Sequence, residues 1–285
     1  VLFAARNRHL VKIAEKTYNI KEFDAILAHS LFSNGYLAMC LGKKYGISYS
    51  VIITNTDMNV YFAQMPHLRN RGLKILSNAH KIIFSSIAYC EELIDKYVPE
   101  ELKDTIRKKS AAIPFGIDNF WIENRKERKE KEPDKNVRLL YVGKINRNKN
   151  LTLTLRACEK LKDKGFYVRY TVVGDVSNSS GYKILDELKS RDFVHYVPGV
   201  PFKDLINYYR DNDIFVMPSI TESFGLVYAE ALTQGMPIIY TKGQGFDRQF
   251  EDKTVGVAVR SDSVEDLVNA VEYIVNNYNR LSKAA

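Results

Sequence analysis

The amino-acid sequence predicts an α/β protein built from two parallel, doubly wound sheets. Three observations carry this. Short apolar runs that read as strands alternate with helix-patterned stretches through both halves of the chain, which is the signature of β-α-β winding. The apolar run 213–218 is followed by a polar loop, then Gly225, then a helix-forming stretch to Gly235, which is the strand-loop-helix unit of such a sheet. Between the halves, residues 123–135 are dense in charges of both signs and broken by Pro133, as a solvated segment between domains would be. A length of 285 residues suits two domains rather than one.

In the first half, 3–18 reads as a helix, 25–29 as a strand, 35–45 as a helix closed by Gly46, and 49–54 as the next strand. Pro66 opens a helix over 66–78; a strand at 81–85, a helix at 89–97 and a strand at 111–114 follow. In the second half, 138–142, 167–173, 193–197, 214–217 and 237–240 read as parallel strands with helices between them, a Rossmann-like sheet, and 264–278 as a helix. The expected organisation is a first domain over 1–118, a charged linker over 119–136 and a second domain over 137–285. Phe120 and Trp121 read as packing anchors for the linker.

Composition narrows the function. Apolar residues make up 45% of the chain, enough for two sizeable cores, yet no run is long and apolar enough to span a bilayer, and no signal-peptide pattern is present. Cys40, Cys90 and Cys158 are widely spaced and odd in number, which argues against a disulfide framework or a cysteine metal site and for small buried residues in a reducing cytoplasm. The net charge is +8; residues 1–115 carry sixteen Lys and Arg against ten Asp and Glu, so +6 of it lies there. Such a surface suits anionic lipid headgroups at the inner face of a membrane or a lipid-linked diphosphate. Nucleic acid is not expected as a partner, because basic and aromatic residues are not interleaved on any one element.

The loop after the 213–218 strand has specific chemistry. With a helix starting near Phe224 or Gly225, the amides of Ser223, Phe224, Gly225, Leu226 and Val227 include its unpaired first-turn donors and form an anion site suited to phosphate. Glu222 lies outside the helix and Glu230 about a turn and a half inside it, so the two carboxylates reach different parts of one extended ligand. Carboxylates repel phosphate and accept from hydroxyls, so a sugar and a ribose are the fitting partners. After the 138–142 strand, Gly143 opens a loop in which Lys144 and Lys149 are placed to converge on one diphosphate. No G-x-G-x-x-G follows Gly143 or Gly174, so a nicotinamide or flavin site is unsupported, and no D-x-D pair stands at a strand end for a divalent ion.

Glu222 and Glu230 with Ser223-Phe224-Gly225 between them, followed by Gly235-Met236-Pro237, resemble the E-x7-E signature of the retaining GT-B glycosyltransferases of family 4. The stretch Tyr141-Val142-Gly143-Lys144 through Lys149-Asn150 is similar to that family's diphosphate loop. The resemblance extends over most of the chain, with His29-Ser30 through Gly35, Thr54 to Asp57 and Pro114-Phe115-Gly116-Ile117-Asp118 matching further segments. It implies a GT-B-like fold of two Rossmann-like domains facing a cleft, with the first incomplete, since a member would begin with a strand and a glycine loop and end with a closing helix. It implies Glu222, Lys144 and Lys149 as catalytic residues, and Gly143, Gly174, Val200, Ser223 to Val227 and Glu230 as donor-binding. His29 and Thr54 would face the cleft. Thr54 departs from the family, which usually carries His or Arg there; Lys144 departs too, where Arg is frequent.

The expected function is transfer of a sugar, with retention, from a UDP- or GDP-type donor to a glycan or lipid-linked acceptor in surface polysaccharide or glycolipid synthesis, with no cofactor and no metal. A non-catalytic nucleotide-sugar or glycan-binding domain is the alternative. A sugar phosphorylase would need a lysine for pyridoxal phosphate, for which no motif is present.

Overall fold

The structure, a computed structural model, describes residues 2–285. The chain divides into two compact units, Val1–Pro114 and Phe115–Ala285.

The first unit is a four-stranded parallel sheet, β1 (Ala25–His29), β2 (Ser48–Ile53), β3 (Lys81–Phe84) and β4 (Ser110–Ala112), in the order β1-β2-β3-β4. The helices Leu2–Thr17, Tyr36–Tyr45, Pro66–Asn78 and Glu100–Lys109 lie between and before these strands. Gly46, at φ 72°, ends the second of them in the left-handed conformation that favours glycine. Phe32, Phe62, Phe84, Ile82 and Leu76 are fully buried and centre its core. The helix expected over 89–97 is a helix Ile87–Glu92 that continues as a π-turn, Leu93–Tyr97, and the strand expected over 111–114 is Ser110–Ala112.

The second unit has six parallel strands: β5 (Asn136–Val142), β6 (Tyr167–Val173), β7 (Val194–Val197), β8 (Ile214–Val216), β9 (Ile238–Thr241) and β10 (Gly256–Val259). Their order is β10-β9-β8-β5-β6-β7, so the direction of winding reverses between β5 and β8. In an open α/β sheet the carboxyl ends of the strands at that reversal border the crevice where ligands bind. The central strands earn their position by sequence: every residue of β8 and β9 and the last four of β5 are buried, as strands covered by helices on both faces must be. β10 was not foreseen, because Gly256-Val257-Ala258-Val259 is short and its apolar run is interrupted by small residues.

The charged segment 119–136 runs along the second unit, with most of its charged side chains exposed and a few contacts holding it there. Asp118 caps a short helix, Asn119–Glu123, by accepting from the Phe120 amide at 2.8 Å, and the helix buries Trp121 completely against Phe202 and Tyr209. Arg128 then donates to the carbonyls of Tyr209, Asn212 and Gln234, which end the helices Leu205–Asp211 and Leu226–Thr233. Helix ends carry unpaired carbonyls and partial negative charge, so a guanidinium is a fitting cap. Lys131 and Arg138 both pair with Asp213, which is only 3% exposed. Burial alone would raise the Asp213 carboxyl; the two cations outweigh it and hold it below the ordinary carboxylate range. Arg128 and Lys131 are thus satisfied by the fold, while Glu123, Arg125, Lys126, Glu127, Lys129, Glu130, Glu132, Asp134 and Lys135 are exposed.

Candidate functional site

The loop after β5 is shaped by backbone. Gly143 and Gly174, at the carboxyl ends of adjacent strands, have φ of +150° and +145°, and a Cβ on Gly174 would overlap the Gly143 carbonyl. The two strand ends thus present bare main chain. Asn146 accepts from the Lys149 amide at 3.2 Å and starts the single turn Arg147–Lys149. Asn150 closes the turn at φ 59°, and its amide reaches the carbonyls of Pro218 and Ser261 at 3.0 and 2.7 Å.

Asn148 ties this loop to the one after β8. Its side-chain Oδ1 accepts from the Thr221 amide and hydroxyl at 3.0 and 2.9 Å, its Nδ2 donates to the Thr221 carbonyl at 2.8 Å, and its own carbonyl accepts from Ile220. Four bonds between two adjacent loops fix the residue that follows. Glu222 projects from that point, and its Oε2 lies 2.7 Å from Lys149 Nζ and 3.3 Å from Ser219 Oγ. The loop after β9 completes the frame: the Glu222 amide donates to Gln244 Oε1, and the Glu222 carbonyl accepts from Gly245, both at 3.0 Å.

The helix after this loop is Leu226–Thr233, with Gly225 at its N-cap at φ 82°. The start falls one or two residues later than the sequence suggests. The Ser223 amide is occupied, donating to Glu222 Oε1 at 3.1 Å, and Tyr228 N donates to the Gly225 carbonyl at 2.9 Å. Leu226 and Val227 are then the first-turn amides to which such a helix offers no acceptor of its own. Phe224 is 5% exposed, packed between the rings of Phe115 and Phe246, so its side chain anchors the loop. A turn further on, Glu230 is half-buried and accepts from the Tyr209 hydroxyl at 2.9 Å. Burial raises its carboxyl above the ordinary range, with the Tyr209 bond opposing the rise.

Lys149, Glu222 and the loop 223–227 are thus brought together at the strand-order reversal. Lys144 is not part of that contact: it is exposed, with its backbone carbonyl held by the Tyr141 hydroxyl at 2.9 Å. Val200 is half-buried beside Gly199, whose amide donates to Asp175 at 2.9 Å. In the first unit, His29 is exposed at the end of β1, and its carbonyl accepts from Asn34 at 2.6 Å. Thr54 donates through both its amide and its hydroxyl to Asp57, so its side chain shapes the turn. Tyr209 was missed as a supporting residue, while Asn148 and Gln244 are legible only as members of the motif loop 143–150 and of the glycine loop 242–246.

A parallel sheet wound in this order, with a cation and a carboxylate paired at its reversal, is of the open, doubly wound α/β class. Residues 123–285 match the family model described as glycosyl transferases group 1, and the chain belongs to that family. D-inositol 3-phosphate glycosyltransferase of Paenarthrobacter aurescens is 25% identical over 213 residues, covering 73% of this chain and 52% of its own length. The chain spans about half the length of such curated relatives. An uncharacterized 41.2 kDa protein in a cps region of Klebsiella pneumoniae is 23% identical, covering 99% of this chain and 80% of its own. Among solved structures, Anabaena HepE in complex with UDP superimposes with a TM-score of 0.69 at 15% identity, covering 98% of this chain and 74% of that one. Sucrose-phosphate synthase from Thermosynechococcus elongatus gives 0.68 at 19%, covering 96% and 69%. The two Rossmann-like units are of the GT-B class.

Proposed function

We propose that the protein is a retaining glycosyltransferase of family 4 that moves a sugar from a UDP- or GDP-type donor to a glycan or lipid-linked acceptor. The observation that carries this reading is the pairing of Lys149 with Glu222 at 2.7 Å where the loops after β5 and β8 meet. A cation beside a hydroxyl acceptor suits a ligand in which a phosphate adjoins a sugar.

In this mechanism the bond from the anomeric carbon to the diphosphate oxygen breaks as a bond to the acceptor oxygen forms, the acceptor's hydroxyl proton passing to the leaving diphosphate, with configuration kept. Lys149, the exposed Lys144 and the Leu226 and Val227 amides stabilise charge building on the leaving diphosphate, each well-placed donor lowering the barrier by about 3 kcal/mol. Gly143 and Gly174 let that diphosphate approach the main chain. Glu222 positions the sugar and shields its developing positive charge, Glu230 takes the ribose hydroxyls, and Val200 lines the base. These cations and amides stand where a divalent ion would otherwise serve. The basic first unit and the Klebsiella relative favour an acceptor in surface polysaccharide or glycolipid synthesis, met at an anionic membrane face. Among the described residues no helix is long and apolar enough to cross a membrane.

Calorimetric titration with UDP, GDP, ADP and their nucleosides tests the reading. Selective binding of one diphosphate, weakened at least tenfold by Glu230→Ala, is the expected result; binding of none of them would overturn it. Donor binding without turnover toward any acceptor would leave a binding domain instead.

A further inference from the structure

We infer that Tyr209 is a positioning residue that fixes the Glu230 carboxyl for the vicinal hydroxyls of a bound ribose. The inference rests on the reading of Glu230 just given and adds to it the device that makes that carboxyl a defined acceptor.

Glu230 stands on a helix with a long side chain and is only half-buried, so nothing in its own backbone selects one rotamer. Its Oε2 accepts from the Tyr209 hydroxyl at 2.9 Å, while among the described residues Oε1 has no partner and is left to accept from a ligand. Tyr209 is fully buried, and its hydroxyl has a second, longer approach of 3.5 Å to the Val227 carbonyl, one turn below Glu230. A buried phenol with one strong acceptor orients that acceptor as firmly as it is oriented.

The ring cannot swing away. Trp121 meets it edge to face at 5.2 Å, Phe215 lies 6.0 Å on another side, and Arg128 holds its backbone carbonyl. Trp121 and Arg128 both come from the charged segment that lies along this unit. The arrangement therefore runs from that segment, through one buried tyrosine, to the carboxylate that faces the ligand. Packing alone would be served equally by phenylalanine, so the hydroxyl is the part that calls for a purpose.

The test is calorimetric titration of wild type, Tyr209→Phe, Glu230→Ala and the double variant with UDP, GDP and their 2′,3′-dideoxy counterparts. The expected result is that Tyr209→Phe weakens binding of the preferred diphosphate about tenfold, leaves binding of its dideoxy form unchanged, and adds nothing in the Glu230→Ala background. Equal losses for both ligands, or loss in the Glu230→Ala background, would reduce Tyr209 to a packing residue and overturn the inference. No loss in Tyr209→Phe would overturn it as well, while the reading of Glu230 survives if Glu230→Ala alone still discriminates the two ligands. A wild type that does not distinguish diphosphate from dideoxy form would remove the ribose role of Glu230 and the inference with it.

Discussion

Replacing Lys149 by alanine separates the two roles that its ammonium fills. In the ligand-free protein it faces Glu222 at 2.7 Å, with the side chains 21% and 11% exposed. At that distance two unit charges attract by about 6 kcal/mol at an effective dielectric near 20. Desolvation of two nearly buried ions cancels most of this, and a net coupling of about 1–3 kcal/mol remains, between the values for surface and buried pairs. Lys149→Ala is therefore expected to lower stability by about 1–2 kcal/mol, a fall of a few degrees in Tm for a unit of this size, since about 2–4 °C follows each kcal/mol. The double variant Lys149→Ala/Glu222→Ala should recover part of that loss, because the carboxylate left without its cation is removed too. Urea unfolding of wild type, Lys149→Ala, Glu222→Ala and the double variant gives the coupling, and a value below about 0.3 kcal/mol would refute the pair. In titration, Lys149→Ala should weaken the nucleoside diphosphate by tenfold or more and the nucleoside hardly at all. Equal losses for both would refute the phosphate role while leaving the ion pair intact.

Two further outcomes follow from the geometry. Gly174→Ala places a methyl against the Gly143 carbonyl at a φ of +145°, so a loss above about 3 kcal/mol or no soluble protein is expected, whereas Gly116→Ala, whose Cβ meets nothing within 4 Å, should unfold at the wild-type urea concentration. Asp213, held below its unfolded value by Arg138 and Lys131 against the opposing effect of burial, contributes stability that is complete above the ordinary carboxylate pKa of about 3.9 and is lost as pH falls through the lower folded value; Asp213→Asn should flatten that acid limb in pH-dependent unfolding.

Strands and motifs were legible for a common reason: each is written in consecutive residues. β5, β6, β8 and β9 appear as apolar runs because both faces of a central parallel strand are covered, and the loops 143–150 and 219–230 can be read because a β-α turn keeps its residues together. The supporting residues were not legible, since their purpose lies across the fold. Tyr209 acts on Glu230 from 21 positions away, and Arg128 meets carbonyls 81 to 106 positions distant, so nothing in the run of mixed charges marks Arg128 and Lys131 as the two that meet buried partners. The helix start at Leu226 was misjudged because the Glu222 carboxyl takes the Ser223 amide, a local competition that the residue types permit without requiring.

Asp57 separates the two sheets by what their strand ends still offer. Its carboxyl, fully buried, takes the amides of Leu31, Phe32 and Thr54 together with the Thr54 hydroxyl, so the turns after β1 and β2 are saturated from within the chain. A phosphate arriving at those strand ends would have to displace a covalently tethered competitor whose effective concentration no free ligand matches. In the loop after β8 the Glu222 carboxyl takes the Ser223 amide, and among the described residues no acid takes the amides of Leu226 and Val227. The turns after β1 and β2 are thus closed by the chain's own acid, so the anion proposed above is to be sought at the Leu226 and Val227 amides of the second sheet.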